Sequence, residues 1–138
     1  MLNSLQQRIN QHQLLRDLQL KLLRLHKLLL DIERANYEQV RGQVTRGKLL
    51  QLVIHDEQFA WLHRLSEMIV QVDELLQSDE PVLLETIAAL VTDIRILLTP
   101  DEVGNDFAMK YDAAFQRNPD VVLAHADVVT LLASVAQR

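Results

Sequence analysis

One stretch governs what this chain can become: from residue 14 to residue 40 leucines return at helical spacing, with His26 and Glu33 set among them. Leu15, Leu22 and Leu29 recur every seven residues, and Leu18, Leu25 and Ile32 follow each by three. Only a helix gathers such a set onto one face, so the pattern predicts a core-facing helical seam. A flanking row of Leu23, Leu30 and Tyr37 widens it. On a helical wheel the apolar arc covers roughly 220°, where a surface helix needs a little over 100°. Such a helix is either enclosed by more than two neighbours, with the 106–117 segment as one of them, or it meets a second chain. In the second case Leu23, Leu30 and Tyr37 are the expected interface of a homodimer.

His26 and Glu33 lie between the seam and the flanking row, one above the other. Polar groups inside an apolar arc need partners once buried, so they are structural bonds or a site. His125 is a third of the kind, placed among Val121, Val122, Val128 and Val129. If the first and last helices are neighbours, the three could converge as a His/Glu/His set suited to zinc or iron. The plainer expectation is three satisfied core residues bonded across the bundle, with no metal and no cofactor. The Glu-x-x-His pairs of di-iron bundles are missing, and His63 and Glu67 fall on the outer face of their helix. Trp61 and Tyr37 could stack a flat ligand, but aromatics on a core stripe serve packing first.

Catalytic chemistry finds little footing. The chain has three glycines, too few for a phosphate-cradling loop, and no Gly-x-Ser-x-Gly. With no cysteine, disulfides, thiolate metal sites and cysteine nucleophiles are all excluded. Residues 1–13 are polar and glutamine-rich, unlike a secretory signal, and no apolar run approaches the ~18–20 residues of a membrane span. A cytoplasmic location is the default expectation.

Charge is uneven. Residues 1–48 hold nine Lys/Arg and four Asp/Glu, a net of +5; residues 49–138 hold five and fifteen, a net of −10. A basic first helix beside acidic neighbours, helping to fix their register, accounts for this. A basic row of Lys27, Arg34 and Arg41 could instead meet nucleic acid, but it lacks interleaved aromatics and sits on an acidic chain. No nucleic-acid partner is expected.

The punctuation predicts where helices stop. The first is expected from about Ser4 to about Val44, with its first turns frayed or projecting and Gly47 closing a turn at Thr45-Arg46-Gly47. Residues 48–54 read as a short helix, followed by a break at His55-Asp56 with Asp56 capping a long second helix. There Trp61, Leu65, Met68, Val72 and Leu75 form a seam, widened by Phe59, Leu62, Ile69 and Leu76. Ser78-Asp79-Glu80-Pro81 reads as a turn and helix start. The next helix presents Leu83, Ile87, Leu90, Ile94 and Leu97. Thr99-Pro100-Asp101-Glu102 has the spacing of a capping box, with Pro100 in the first helical position. A short amphipathic helix is expected over 106–117, and Asn118-Pro119 opens the last one.

The stretches LLRLHKLLLDIERANYE (22–38), HDEQFAWLHRLSEMIVQVDE (55–74) and RNPDVVLAHADV (117–128) resemble a family of small bacterial all-helical proteins. Phe59-Ala60-Trp61-Leu62 followed by Leu65-Ser66 is the most distinctive string. Asp-Pro opens the second helix in that pattern, where this chain has Asp56-Glu57; the cap survives without the rigid proline. The resemblance implies a bacterial cytosolic bundle and brings no activity, cofactor or catalytic residue with it.

Together these readings predict one all-α domain over residues 1–138, an up-and-down four-helix bundle with an additional short helix. The function expected is that of a non-catalytic interaction or regulatory protein that self-associates and has a possible further protein partner. A metal- or small-ligand-binding bundle centred on His26, Glu33 and His125 is the alternative.

Overall fold

A first helix of 40 residues, α1 (Leu2–Arg41), dominates the architecture. At 1.5 Å per residue it runs about 60 Å. The computed structural model describes residues 2–136. After α1 come α2 (Arg46–His55), a 3-10 helix (Glu57–Leu62), α3 (His63–Gln77), α4 (Leu84–Leu97), α5 (Asp106–Arg117) and α6 (Pro119–Ala136). Among the described residues there is no strand.

α1 packs against α3 on one side and α6 on the other, and α4 touches both α3 and α6. α5 lies on α6 and against the 3-10 helix, which also touches α1 and α2. Two bonds fix the sense of the α1–α3 pair. His26 meets Ser66, and Gln19, seven residues earlier on α1, meets Asp73, seven later on α3, so the two run antiparallel. The predicted seam is the core: Leu15, Leu18, Leu22, Leu25 and Leu29 are buried with Leu65, Val72, Ile94, Val128 and Leu132. The buried set of the described residues is wholly apolar. The broad arc of α1 is thus met by three elements of its own chain, and the cover over Tyr37 comes from Phe59 of the 3-10 helix, not from the 106–117 segment.

Several boundaries differ from those predicted, each for a local reason. α1 ends at Arg41, before Val44, because Gly42 takes φ +85° and donates its N–H to the Glu38 carbonyl at 2.9 Å. The Glu38 carboxylate then accepts the Val44 N–H and Arg34 donates to the Val44 carbonyl, clamping the turn. Thr45 is left as the cap of α2, accepting from the Lys48 N–H, so Gly47 sits inside that helix and closes nothing. Asp56 caps the 3-10 helix rather than α3, accepting from the Gln58 N–H at 2.8 Å. Pro81 does not start a helix: Ser78 accepts the Glu80 N–H, which holds the connection as a local turn, and α4 begins at Leu84.

Thr99-Pro100-Asp101-Glu102 does not act as a capping box. Thr99 donates back to the Arg95 carbonyl and finishes α4, while Asp101 accepts the Val103 N–H. Gly104 passes so close to α5 that a Cβ there would lie 2.9 Å from Ala108 Cβ. The short helix falls at 106–117 as predicted, capped by Asn105, and Asn118 caps α6 with Pro119 in its first turn. The polar turns before residue 14 are helical in the described residues, with Leu5 and Ile9 exposed.

Candidate functional site

His26 and His125 each have a partner inside the chain. The Ser66 hydroxyl is hydrogen-bonded with His26 Nε2 at 2.9 Å and lies 3.3 Å from the Leu62 carbonyl one turn earlier. That bond ties α1 to α3. On the other side of the bundle, the Tyr111 hydroxyl of α5 lies 2.6 Å from His125 Nδ1 on α6. Tyr111 has no other acceptor among the described residues, so its hydroxyl donates and the His125 proton rests on Nε2. Phe115 meets the same imidazole edge-on at 5.1 Å. Burial pushes the pKa of both histidines down and that of the Tyr111 phenol up, because each charged form would lose solvation. Burial thus favours the neutral imidazoles, whose hydrogen bonds tie α1 to α3 and α5 to α6.

Glu33 does not join them. Its carboxylate accepts from Asn36 Nδ2 at 3.4 Å and lines a cleft between α1, the 3-10 helix and α5. The convergent His/Glu/His set is therefore not formed. Among the described residues no group of three His, Asp or Glu is placed to hold a metal ion.

The row proposed as an interface splits three ways. Tyr37 is only 7% exposed, its ring 6.0 Å from that of Phe59. Leu30 is half-buried, and Leu23 remains 45% exposed. The α1–α3 register sets Leu23 opposite Ile69, and the next residue of α3, Val70, is 54% exposed. Leu20, one turn away on α1, is also exposed, in a groove shared with Ala124 and Asp127 of α6. The basic row is engaged locally: Lys27 pairs with Asp31, Arg34 with Glu38, and Arg41 lies over the Tyr37 ring at 5.4 Å.

Sequence reasoning missed the cleft at Glu33. Ile32 and Asn36 flank the carboxylate on α1, Trp61 comes from the 3-10 helix, and Lys110 and Arg117 come from α5. Its volume is about 390 Å³. Trp61 is 6% exposed, and its indole N–H is the one buried side-chain polar group without a partner among the described residues. The alternation of Lys110 and Arg117 with the buried Phe107, Tyr111 and Ala114 was the available signal. It marked α5 as two-faced without showing what its polar face would meet.

No family model, curated protein or solved structure matches the chain. No helix among the described residues is long and apolar enough to cross a membrane.

Proposed function

We propose that this is a non-catalytic helical protein that acts by association, its first partner being a second copy of itself. The observation that supports this is the set of large apolar side chains left in water, Leu20 and Leu23 on α1 and Val70 on α3. Covering such surface gains roughly 25 cal/mol per Å². The chain also exposes 9121 Å² in all. A compact monomer of 15.9 kDa would expose roughly 7,400 Å². Part of the excess is the projecting start of α1, whose Leu5 and Ile9 extend the available apolar surface.

The same reading takes α1, α3, α4 and α6 as an up-and-down four-helix bundle, supported by the ring of contacts α1–α3–α4–α6–α1. It places the protein in the cytoplasm and among the small bacterial helical proteins that its sequence resembles. The ligand-binding alternative centred on His26, Glu33 and His125 loses its basis, since those side chains go to different places.

Sedimentation across a concentration series tests the association. The unmodified chain should form a dimer at micromolar concentration, and Leu23→Arg should yield a folded monomer, because a charge in a dry interface is costly. A mass of one chain at every concentration refutes self-association. A dimer that Leu23→Arg leaves intact refutes an interface through Leu23.

A further inference from the structure

The cleft at Glu33 carries a second reading, independent of self-association. Its volume falls within the roughly 300–1,000 Å³ of small-molecule sites. Apolar walls with a few converging polar groups are what such sites need, and Ile32 and Trp61 supply the apolar part here. The charges are arranged unusually. Glu33 on α1 and Arg117 on α5 line the same cleft with opposite sign, and among the described residues neither belongs to an ion pair. Lys110 reaches only Asp106, at 3.8 Å on its own helix. Opposite charges that share a cleft without pairing are complementary to a guest that carries both.

Trp61 points the same way. A buried donor left unpaired costs about 1–3 kcal/mol, and native structures seldom leave one without a reason. Trp61 lines the cleft, so this unpaired donor belongs to a side chain in the cleft's own wall. Two cationic donors, on Arg117 and Lys110, line the cleft for an anionic group. The Glu33 carboxylate, held from one side by Asn36, faces a cationic one.

We propose that this cleft binds a small zwitterion of the α-amino-acid class, its carboxylate held by Arg117 and Lys110, its ammonium by Glu33, and its apolar side chain against Ile32 and Trp61. A carboxylate fits Arg117 because a guanidinium offers two parallel donors, and an ammonium fits Glu33 because a carboxylate only accepts.

Trp61 is the only tryptophan in the chain, so its emission reports the site directly. The full chain is titrated with L-leucine to about 10 mM, and in parallel with isocaproate, which lacks the ammonium, and isoamylamine, which lacks the carboxylate. L-leucine should shift the emission saturably, and each analogue should bind at least about tenfold more weakly. Glu33→Gln should weaken L-leucine about tenfold and leave isocaproate unchanged, and Arg117→Gln should weaken L-leucine and leave isoamylamine unchanged. Both side chains lie at the cleft surface, and circular dichroism confirms that the variants keep their helix. Calorimetry on the same samples catches binding that is silent in emission. No saturable binding of L-leucine by either method overturns the proposal. Isocaproate binding as tightly as L-leucine overturns the zwitterion assignment, and an affinity for L-leucine unmoved by both substitutions removes the site from this cleft.

Discussion

Removing the two members of the Tyr111–His125 bond one at a time should cost different amounts, because the two side chains lie at different depths. Tyr111 is fully buried at 0% exposure, and its hydroxyl has one partner, His125 Nδ1 at 2.6 Å. His125 is half-buried, so water reaches its ring. His125→Leu strands a hydroxyl in apolar surroundings, and a buried donor left unpaired costs about 1–3 kcal/mol. Tyr111→Phe keeps the ring and its stacking on Phe107 at 5.4 Å, and it frees Nδ1 to find solvent. That loss belongs at the low end for a single bond, about 0.5 kcal/mol. Changing both removes the polar pair altogether, and the double variant should lie within about 1 kcal/mol of the unmodified chain. Urea unfolding followed by far-ultraviolet circular dichroism, at mildly alkaline pH to keep the imidazole neutral, measures all three. Equal costs for the two single changes would refute the argument from depth. A double variant whose loss equals the sum of the singles would show that the two groups do not act as a pair.

Acid should weaken the fold through the histidines. Burial lowers the folded pKa of His26 and His125 below the ordinary 6.5, so the unfolded chain binds protons first. Their contribution is therefore fully present above about pH 6.5 and is lost as pH falls from there through the lowered folded values. Urea midpoints measured from about pH 8 to about pH 5 check this, and a flat profile would contradict it. Two glycine substitutions separate crowding from backbone strain. Gly104→Ala should cost about 1–3 kcal/mol, because the added Cβ would lie 2.9 Å from Ala108 Cβ and 3.1 Å from Asp101 Cβ. Gly42→Ala meets no atom within 4 Å, but at φ +85° it should still cost about 1–2 kcal/mol. Thermal unfolding of the two variants measures both, and a neutral Gly42→Ala would show that α1 can close without the left-handed residue.

What the sequence made legible was whatever depends on a face. The heptad of Leu15, Leu22 and Leu29 marked the buried side of α1 because helical periodicity reports orientation directly. The 106–117 helix was found with its boundaries because its amphipathic spacing is bracketed by Gly104-Asn105 before it and Asn118-Pro119 after it. The errors fall where two residues competed for one task. Gly42 and Gly47 could each end α1, and only the clamp made by Arg34 and Glu38 on Val44 chose between them. Pro81 and Pro100 each fit a first helical turn, but neighbouring hydroxyls bonded locally and kept both prolines outside a helix. Such choices depend on bonds between groups several residues apart, and a period cannot show them.

His26, Glu33 and His125 looked alike in the sequence for the same reason: a position on an arc gives a direction but no partner. Their separation follows from where α3 stops. The α1–α3 register that joins Gln19 to Asp73 and His26 to Ser66 would, seven residues further on, set Glu33 opposite Phe59. Phe59 lies in the 3-10 helix, before α3 begins at His63, and offers an apolar ring in place of a hydroxyl or amide. Glu33 is the next step in a ladder of cross-helix bonds and arrives where the ladder has ended. A carboxylate without a partner in the core is stable only where water or an ion can reach it. That place is the gap between α1 and α5, where Lys110 and Arg117 supply the positive charge that α3 does not. The interruption that read as a core polar group is thus the acidic wall of a cleft, because the Asp56 cap and the six residues of tighter helix it opens hold α3 back from it.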